Sequence, residues 1–250
     1  MLGNLIRSLW ASWTAPREPQ PVSPSQTELS GLHYMDILSR VHSHIRPGSY
    51  VEIGVSRGKS LRLVAPATRT IGIDPEPRVA APQPPNVTIY AKTSDAFFAE
   101  HDLAAELGGR KVDLAFIDGM HLFEYALRDF MNIESYCTRN STVLIHDCYP
   151  LDEESSTRER RTVDWTGDVW RAIVALRAYR PDLSICTLAS PPSGLAMIRN
   201  LDPRSTLLRD RFDSIVAEFS RRSYGTIGRN KAEMLNLVAA DWPAIALRLG

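Results

Sequence analysis

Cysteine is scarce in this 250-residue chain, with only Cys137, Cys148 and Cys186. Three scattered thiols build neither a disulfide framework nor a CxxC metal knuckle, and they fit a reducing, cytoplasmic compartment. Net charge is also missing: 29 Lys+Arg balance 29 Asp+Glu. A dedicated nucleic-acid binder normally carries a concentrated basic surplus, so that class is disfavoured. No stretch approaches the roughly 18 apolar residues of a membrane span. The first residues, MLGNLIRSLWASW, lack the continuous apolar core of a signal peptide. Two nucleotide-binding signatures are absent as well: neither G-x-G-x-x-G nor G-x-x-x-x-G-K-[ST] can be read.

The chain that remains divides unevenly. Leu2, Leu5, Ile6, Leu9, Trp10 and Trp13 fall at helical spacing. They predict a short helix that docks on its own domain or joins two copies of the chain as a homo-oligomer. Four prolines in residues 15–24 forbid regular structure and mark a linker. Residues 1–24 are therefore expected to be an appendage and 25–250 the body. Ser25 and Glu28 form an S-x-x-E capping pattern, predicting a helix with Leu29, Leu32, Leu38, Val41 and Ile45 on its apolar face and Pro47-Gly48 at its end.

From Tyr50 onward strands and helices alternate. Apolar, β-branched runs occur at Tyr50–Ile53, Thr70–Ile73, Val87–Tyr90, Val112–Ile117 and Thr142–Ile145. Helical patterns lie between them at Ser60–Ala65, Asp95–Leu107 and Phe123–Cys137. A further helix over Val169–Tyr179 precedes two more strands, Leu183–Leu188 and Leu195–Ile198, and helices near Leu207–Arg222 and Lys231–Leu249 close the chain. This order predicts an α/β fold: a mostly parallel seven-stranded sheet flanked by helices on both faces. The charged, apolar-free run Asp152–Arg161 reads as a solvated loop.

In such a sheet ligands bind beyond the carboxyl ends of the strands. After the first strand, Gly54 and Gly58 permit a tight turn and close approach to a ligand. The second strand ends in Asp74, 22 residues after Glu52, where a carboxylate can accept from ribose hydroxyls; the plainer reading is a solvated Asp opening a turn. Ser94 and Asp95 after the third strand can cap the next helix or meet an adenine edge. Asp118 and His121 follow the fourth strand, and His146, Asp147 and Cys148 end the fifth. Two carboxylates and two imidazoles at one sheet edge suit acid/base chemistry or a hard divalent cation.

The ordered motifs VEIGVSRGKS, IGID, VTIYAKTSDAFF, VDLAFIDGMHLFEYALRDF and STVLIHD, spanning 50–147, resemble those of class I S-adenosylmethionine-dependent methyltransferases, with their Rossmann-like fold. The likeness is nearest to the catechol-type and macrolide-sugar O-methyltransferases. It implies that Glu52, Gly54, Gly58 and Ser60 line the methionine end of S-adenosylmethionine and that Asp74 holds the ribose. Ser94 and Asp95 would then meet the adenine, and Asp118 would sit beside the sulfonium. Metal-dependent relatives hold Mg²⁺ with aspartates matching Asp118 and Asp147, but Cys148 stands where they have Asn, and a soft thiol suits Mg²⁺ poorly. His121 occupies the position of the catechol-type lysine base. The implied reaction is methyl displacement onto a hydroxyl of a small molecule or sugar, with His121 and Asp147 as catalytic candidates. His121 could instead merely hydrogen-bond Asp118, and His146 reads more as buried structure than as catalyst. Thr166 or Asp168 could cap the helix after Gly167, while Trp165 and Tyr149 are candidates to wall the acceptor pocket. Residues 148–250 are expected to complete the sheet and the acceptor side. The rivals are an NAD-linked oxidoreductase on a related fold and a non-catalytic S-adenosylmethionine-binding module.

Overall fold

The computed structural model describes residues 28–228 and 230–250; the expected N-terminal helix, the proline-rich linker and Ser25 lie outside them. In chain order the body comprises α1 (Tyr34–Ile45), β1 (Ser49–Ile53), a 3₁₀ turn (Ser60–Leu63), β2 (Arg69–Asp74), β3 (Val87–Ala91), α2 (Ser94–Glu100) and α3 (Leu103–Glu106). There follow β4 (Val112–Ile117), α4 (Phe123–Glu134), β5 (Cys137–His146), α5 (Trp170–Tyr179), β6 (Ser184–Leu188) and β7 (Leu195–Arg199). The chain closes with α6 (Leu207–Asp210), α7 (Phe212–Phe219), α8 (Lys231–Met234), β8 (Leu237–Val238) and α9 (Trp242–Leu249).

The strands form one sheet in the order β3-β2-β1-β4-β5-β7-β6-β8. β1 to β5 are parallel to one another, and β7 runs antiparallel between β5 and β6. The sheet thus has eight strands rather than the expected seven. The addition is β8, two residues parallel to β6, too short to leave a sequence pattern and taken above as part of a long final helix.

Alternate strand residues feed two cores. Val51, Ile53, Ile71 and Val143 face Phe97 of α2, Phe130 of α4 and Ile173 of α5, while Tyr50, Leu114, Phe116 and Leu144 face Leu38 of α1 and Ile245 of α9. Period-2 alternation against helices on both faces buries β1 completely and β2 and β4 nearly so, which is why they read as continuous apolar runs, while edge strand β3 stays half exposed.

Several boundaries differ from expectation. The first helix starts at Tyr34, capped by the imidazole of His33, which accepts from the Met35 N–H. Leu29 and Leu32 are not helical; Gly31 and Leu32 instead donate backbone bonds to Ala189 and Ala240. The expected helix over Asp95–Leu107 is two, because Asp102 caps α3 through Ala104 N–H. Phe123–Cys137 ends as helix at Glu134, and Cys137 already opens β5. The segment 152–161 is not fully solvated: Ser155 and Ser156 are buried. Arg158 there pairs with Glu124 at 2.5 Å and with buried Asp168 at 2.8 Å. The three cysteines are free and buried. Among the described residues no helix is long and apolar enough to cross a membrane.

Candidate active site

β1 sits between β2 and β4, where the direction of strand succession reverses, and a crevice opens over the carboxyl ends of β1 and β4. Gly54 stands at that point with φ +91°, and a Cβ there would lie 2.0 Å from the Asp118 carbonyl oxygen. Only glycine lets the two strand ends converge so closely. On either side of Gly54 lies a cavity. The larger, about 360 Å³, is bordered by Ser56, Ser60, Asp118, His121, His146 and Asp147. The smaller, about 90 Å³, lies among Ile73, Thr93, Ser94, Asp95, Met120 and Asp129.

At the head of the larger cavity two carboxylates and two imidazoles alternate. His146 Nδ1 lies 3.2 Å from both Asp118 Oδ1 and Asp147 Oδ2. His121 Nε2 lies 3.2 Å from Asp147 Oδ2 and 3.5 Å from Asp118 Oδ1. Asp147 also accepts from Ser193 Oγ. Burial alone would discharge the imidazoles, but the carboxylates outweigh it. His146 is pushed up to about 10 by Asp147 and Asp118, and His121 is raised by Asp147, Asp118 and the Trp165 carbonyl. Burial would likewise raise Asp118, yet the two imidazoles hold it well below the usual carboxylate range.

His121 and Asp147 both occupy the left-handed region, at φ +56° and +54°. For His121 the support is visible. Its Nδ1 lies 3.0 Å from the Trp165 carbonyl, its ring stacks on the Trp165 indole, and its own carbonyl accepts from Asp168 N–H at 3.2 Å. Asp168 does not cap the helix that follows it. It accepts the Phe123 N–H at 2.9 Å, capping α4 instead, while Thr166 bonds back to the Ser155 carbonyl.

The remaining sequence candidates separate into those that face a cavity and those that stand behind. Gly54, Ser60, Ser94, Asp95, Asp118, His121, His146, Asp147 and Trp165 face one. Glu52 lies beneath, fully buried, accepting from Ser60 Oγ at 2.6 Å and Tyr50 OH at 2.7 Å. Burial pushes it up to about 8 against those two hydrogen bonds. Gly58, at φ +65°, shapes the loop from behind. Asp74 is buried rather than solvated, its oxygens accepting Ser56 N–H and Glu76 N–H, each at 2.7 Å. Neither Ser94 nor Asp95 caps α2, because Thr93 does so through Ala96 N–H. Tyr149 does not wall the pocket: it is buried, and its hydroxyl donates to Glu28 at 2.6 Å. Cys148 is also fully buried.

Four contributors left no sequence signal. Tyr34 and Met35 of α1 wall the larger cavity, with the Tyr34 ring 4.1 Å from that of His146. Ser193 lies in the turn before β7, and its partner Asp147 is 46 residues away. Asp129, buried on α4, reads in sequence as one more polar helix position.

A methyltransferase-domain family matches residues 51–148. Among solved structures, cofactor-bound Rv0187 from MTB superposes with a TM-score of 0.51 at 15% identity, over 79% of this chain and 89% of that one. The Bacillus cereus O-methyltransferase in complex with SAH gives 0.49 at 13%, over 80% and 90%. The O-methyltransferase TomG from Streptomyces achromogenes, involved in tomaymycin synthesis and in complex with SAM, gives 0.49 at 12%, over 79% and 96%. No curated protein sequence matches the chain. Residues 51–148 are a methyltransferase domain. That match covers about two-fifths of the chain, and with the strand order it supports a methyltransferase built on a Rossmann-like sheet.

Proposed function

We propose that the chain transfers the methyl group of S-adenosylmethionine to a hydroxyl of a small-molecule or sugar acceptor. One observation carries this reading: the Asp118–His121–His146–Asp147 cluster shares a cavity with Gly54 and Ser60 of the glycine loop. Proton-handling groups therefore stand beside the loop that would take the methionine end of the donor. In this reading Gly54 and Ser60 meet that end, with Glu52 holding Ser60 from beneath and Gly58 shaping the loop from behind, Asp74 takes the ribose, and Ser94 and Asp95 border the adenine. The sulfonium already activates the methyl group, so the protein aligns acceptor oxygen, carbon and sulfur and removes a proton. His121 is the base in its neutral form: the Trp165 carbonyl fixes Nδ1 as the N–H, and Nε2, which faces Asp147 and Asp118, takes the acceptor's proton, the two carboxylates stabilising the imidazolium that results. Asp147 orients that imidazole.

A second reading is favoured by the donor set itself. Ligand atoms of Asp118, His121 and Asp147 lie within 4.8 Å of one another. Two carboxylates and an imidazole fit a divalent cation such as Mg²⁺ or a softer transition metal. Cys148, buried with its thiol pushed up by the apolar surroundings, is no ligand. Bound there, a cation would lower the pKa of an acceptor hydroxyl.

A screen of metabolite extracts with methyl-labelled S-adenosylmethionine, with and without EDTA, tests both readings. Labelled methyl ethers are expected. Failure to label any extract, with no S-adenosylhomocysteine binding by calorimetry, would refute the function. Loss of activity with EDTA and its return with Mg²⁺ would assign Asp118, His121 and Asp147 to the cation rather than His121 to the proton.

A further inference from the structure

The smaller cavity contains a carboxylate with no evident purpose in the fold. Asp129 is 2% exposed, and its Oδ1 is buried without a hydrogen-bond partner. Ser94 donates to the carboxylate, but burial, the larger effect, pushes it up to about 7. Leaving a buried carboxylate half satisfied costs stability that a structural residue would not concede. Gly119 borders the same carboxylate: a Cβ there would meet Asp129 Oδ2 at 3.6 Å and Ile53 at 3.4 Å, in ordinary contact. Asp95 is placed in the opposite manner. Its side chain is 39% exposed and is engaged by Arg128 at 2.5 Å, so the acceptor expected from sequence to read the base already has a cation.

We propose that Asp129, not Asp95, accepts the exocyclic amino group of the adenine and makes this slot select an aminopurine over an oxopurine. The inference rests on the reading that the slot takes the nucleoside end of S-adenosylmethionine. Ile53, Ile73 and Met120 supply apolar walls for a flat base, and the unpaired oxygen supplies the polar contact that fixes its edge. An oxopurine would set a carbonyl oxygen against that carboxylate, and a site built to bond one partner rejects its analogue strongly.

Calorimetry at pH 8.5, where Asp129 is ionised, with S-adenosylhomocysteine and S-inosylhomocysteine tests this on the wild type, Asp129→Ala, Asp129→Asn and Asp95→Ala. The wild type should prefer the adenosyl compound by about tenfold or more. Both Asp129 variants should narrow the preference to about threefold or less by weakening the adenosyl compound. Their unliganded melting temperatures should hold or rise, because an unpaired buried carboxylate is gone. Asp95→Ala should keep the wild-type ratio. A ratio unchanged in both Asp129 variants, or lost in Asp95→Ala, overturns the inference while leaving the cofactor reading intact. A wild type that binds neither compound overturns both.

Discussion

The Trp165 carbonyl lies 3.0 Å from His121 Nδ1, and the two rings stack with centroids 5.2 Å apart, 15° from parallel. A residue 44 positions away in sequence thus fixes both the tautomer and the plane of the imidazole facing Asp118 and Asp147.

This clamp needs Gly167. A Cβ there, at φ +57°, would lie 1.9 Å from the His121 carbonyl oxygen, so Gly167→Ala must push the Trp165 segment off the imidazole. Misplacing a reacting group by about 1 Å costs on the order of 100-fold in rate. Turnover should fall by about that factor while S-adenosylhomocysteine affinity changes less than about threefold. Equal loss in both would show that the clamp serves cofactor binding instead.

Glu52 sets a pH dependence. Burial raises it from 4.5 to about 8, so the folded state favours the protonated acid, and stability falls as pH rises from about 4.5 to 8. Glu52→Gln imitates the protonated form. Its unliganded melting temperature should exceed the wild type's at pH 8.5, with the two converging below pH 4.5. Parallel melting curves across that range would contradict the buried-acid assignment.

His42 acts from the other direction. Burial lowers it from 6.5 to about 4, with both ring nitrogens unpartnered and the ring edge-on to Tyr50 at 4.6 Å. The unfolded chain takes up its proton first, so stability drops as pH falls from 6.5 to 4, by about 3 kcal/mol in all. Urea titrations at pH 7 and pH 4.5 should show the drop, and His42→Phe should remove His42's share of it.

Arg180 and Glu134 form a bidentate pair at 2.7 and 2.9 Å, both nearly inaccessible. Breaking a buried pair strands the partner, so Glu134→Gln should cost about 3 kcal/mol in urea unfolding, towards the low end because Asp182 still binds Arg180. Replacing both residues by Leu and Met should restore much of the loss. A single variant as stable as wild type would show that Asp182 alone satisfies the guanidinium.

The sequence displayed what local periodicity and strand-end chemistry encode. The five parallel strands and the gathering of Asp118, His121, His146 and Asp147 at strand ends follow from runs of apolar residues ending in polar ones, whereas the lateral strand order does not. It concealed what depends on distant partners. Asp168 sits before one helix but caps another, because its bond to Phe123 N–H spans 45 residues. Tyr149 looks like a pocket aromatic, yet it turns to Glu28, 121 positions away. The final helix was divided by β8 because a two-residue strand has no period to read.

The larger cavity draws Tyr34, Met35, Arg160, Val163, Asp164, Trp165, Pro192 and Ser193 from three stretches outside residues 51–148. In the proposed reading the donor loop and the proton-handling cluster lie within residues 51–148, while these three stretches wall the rest of the crevice. On that reading, exchanging the three stretches should change which acceptor is methylated while S-adenosylhomocysteine affinity holds.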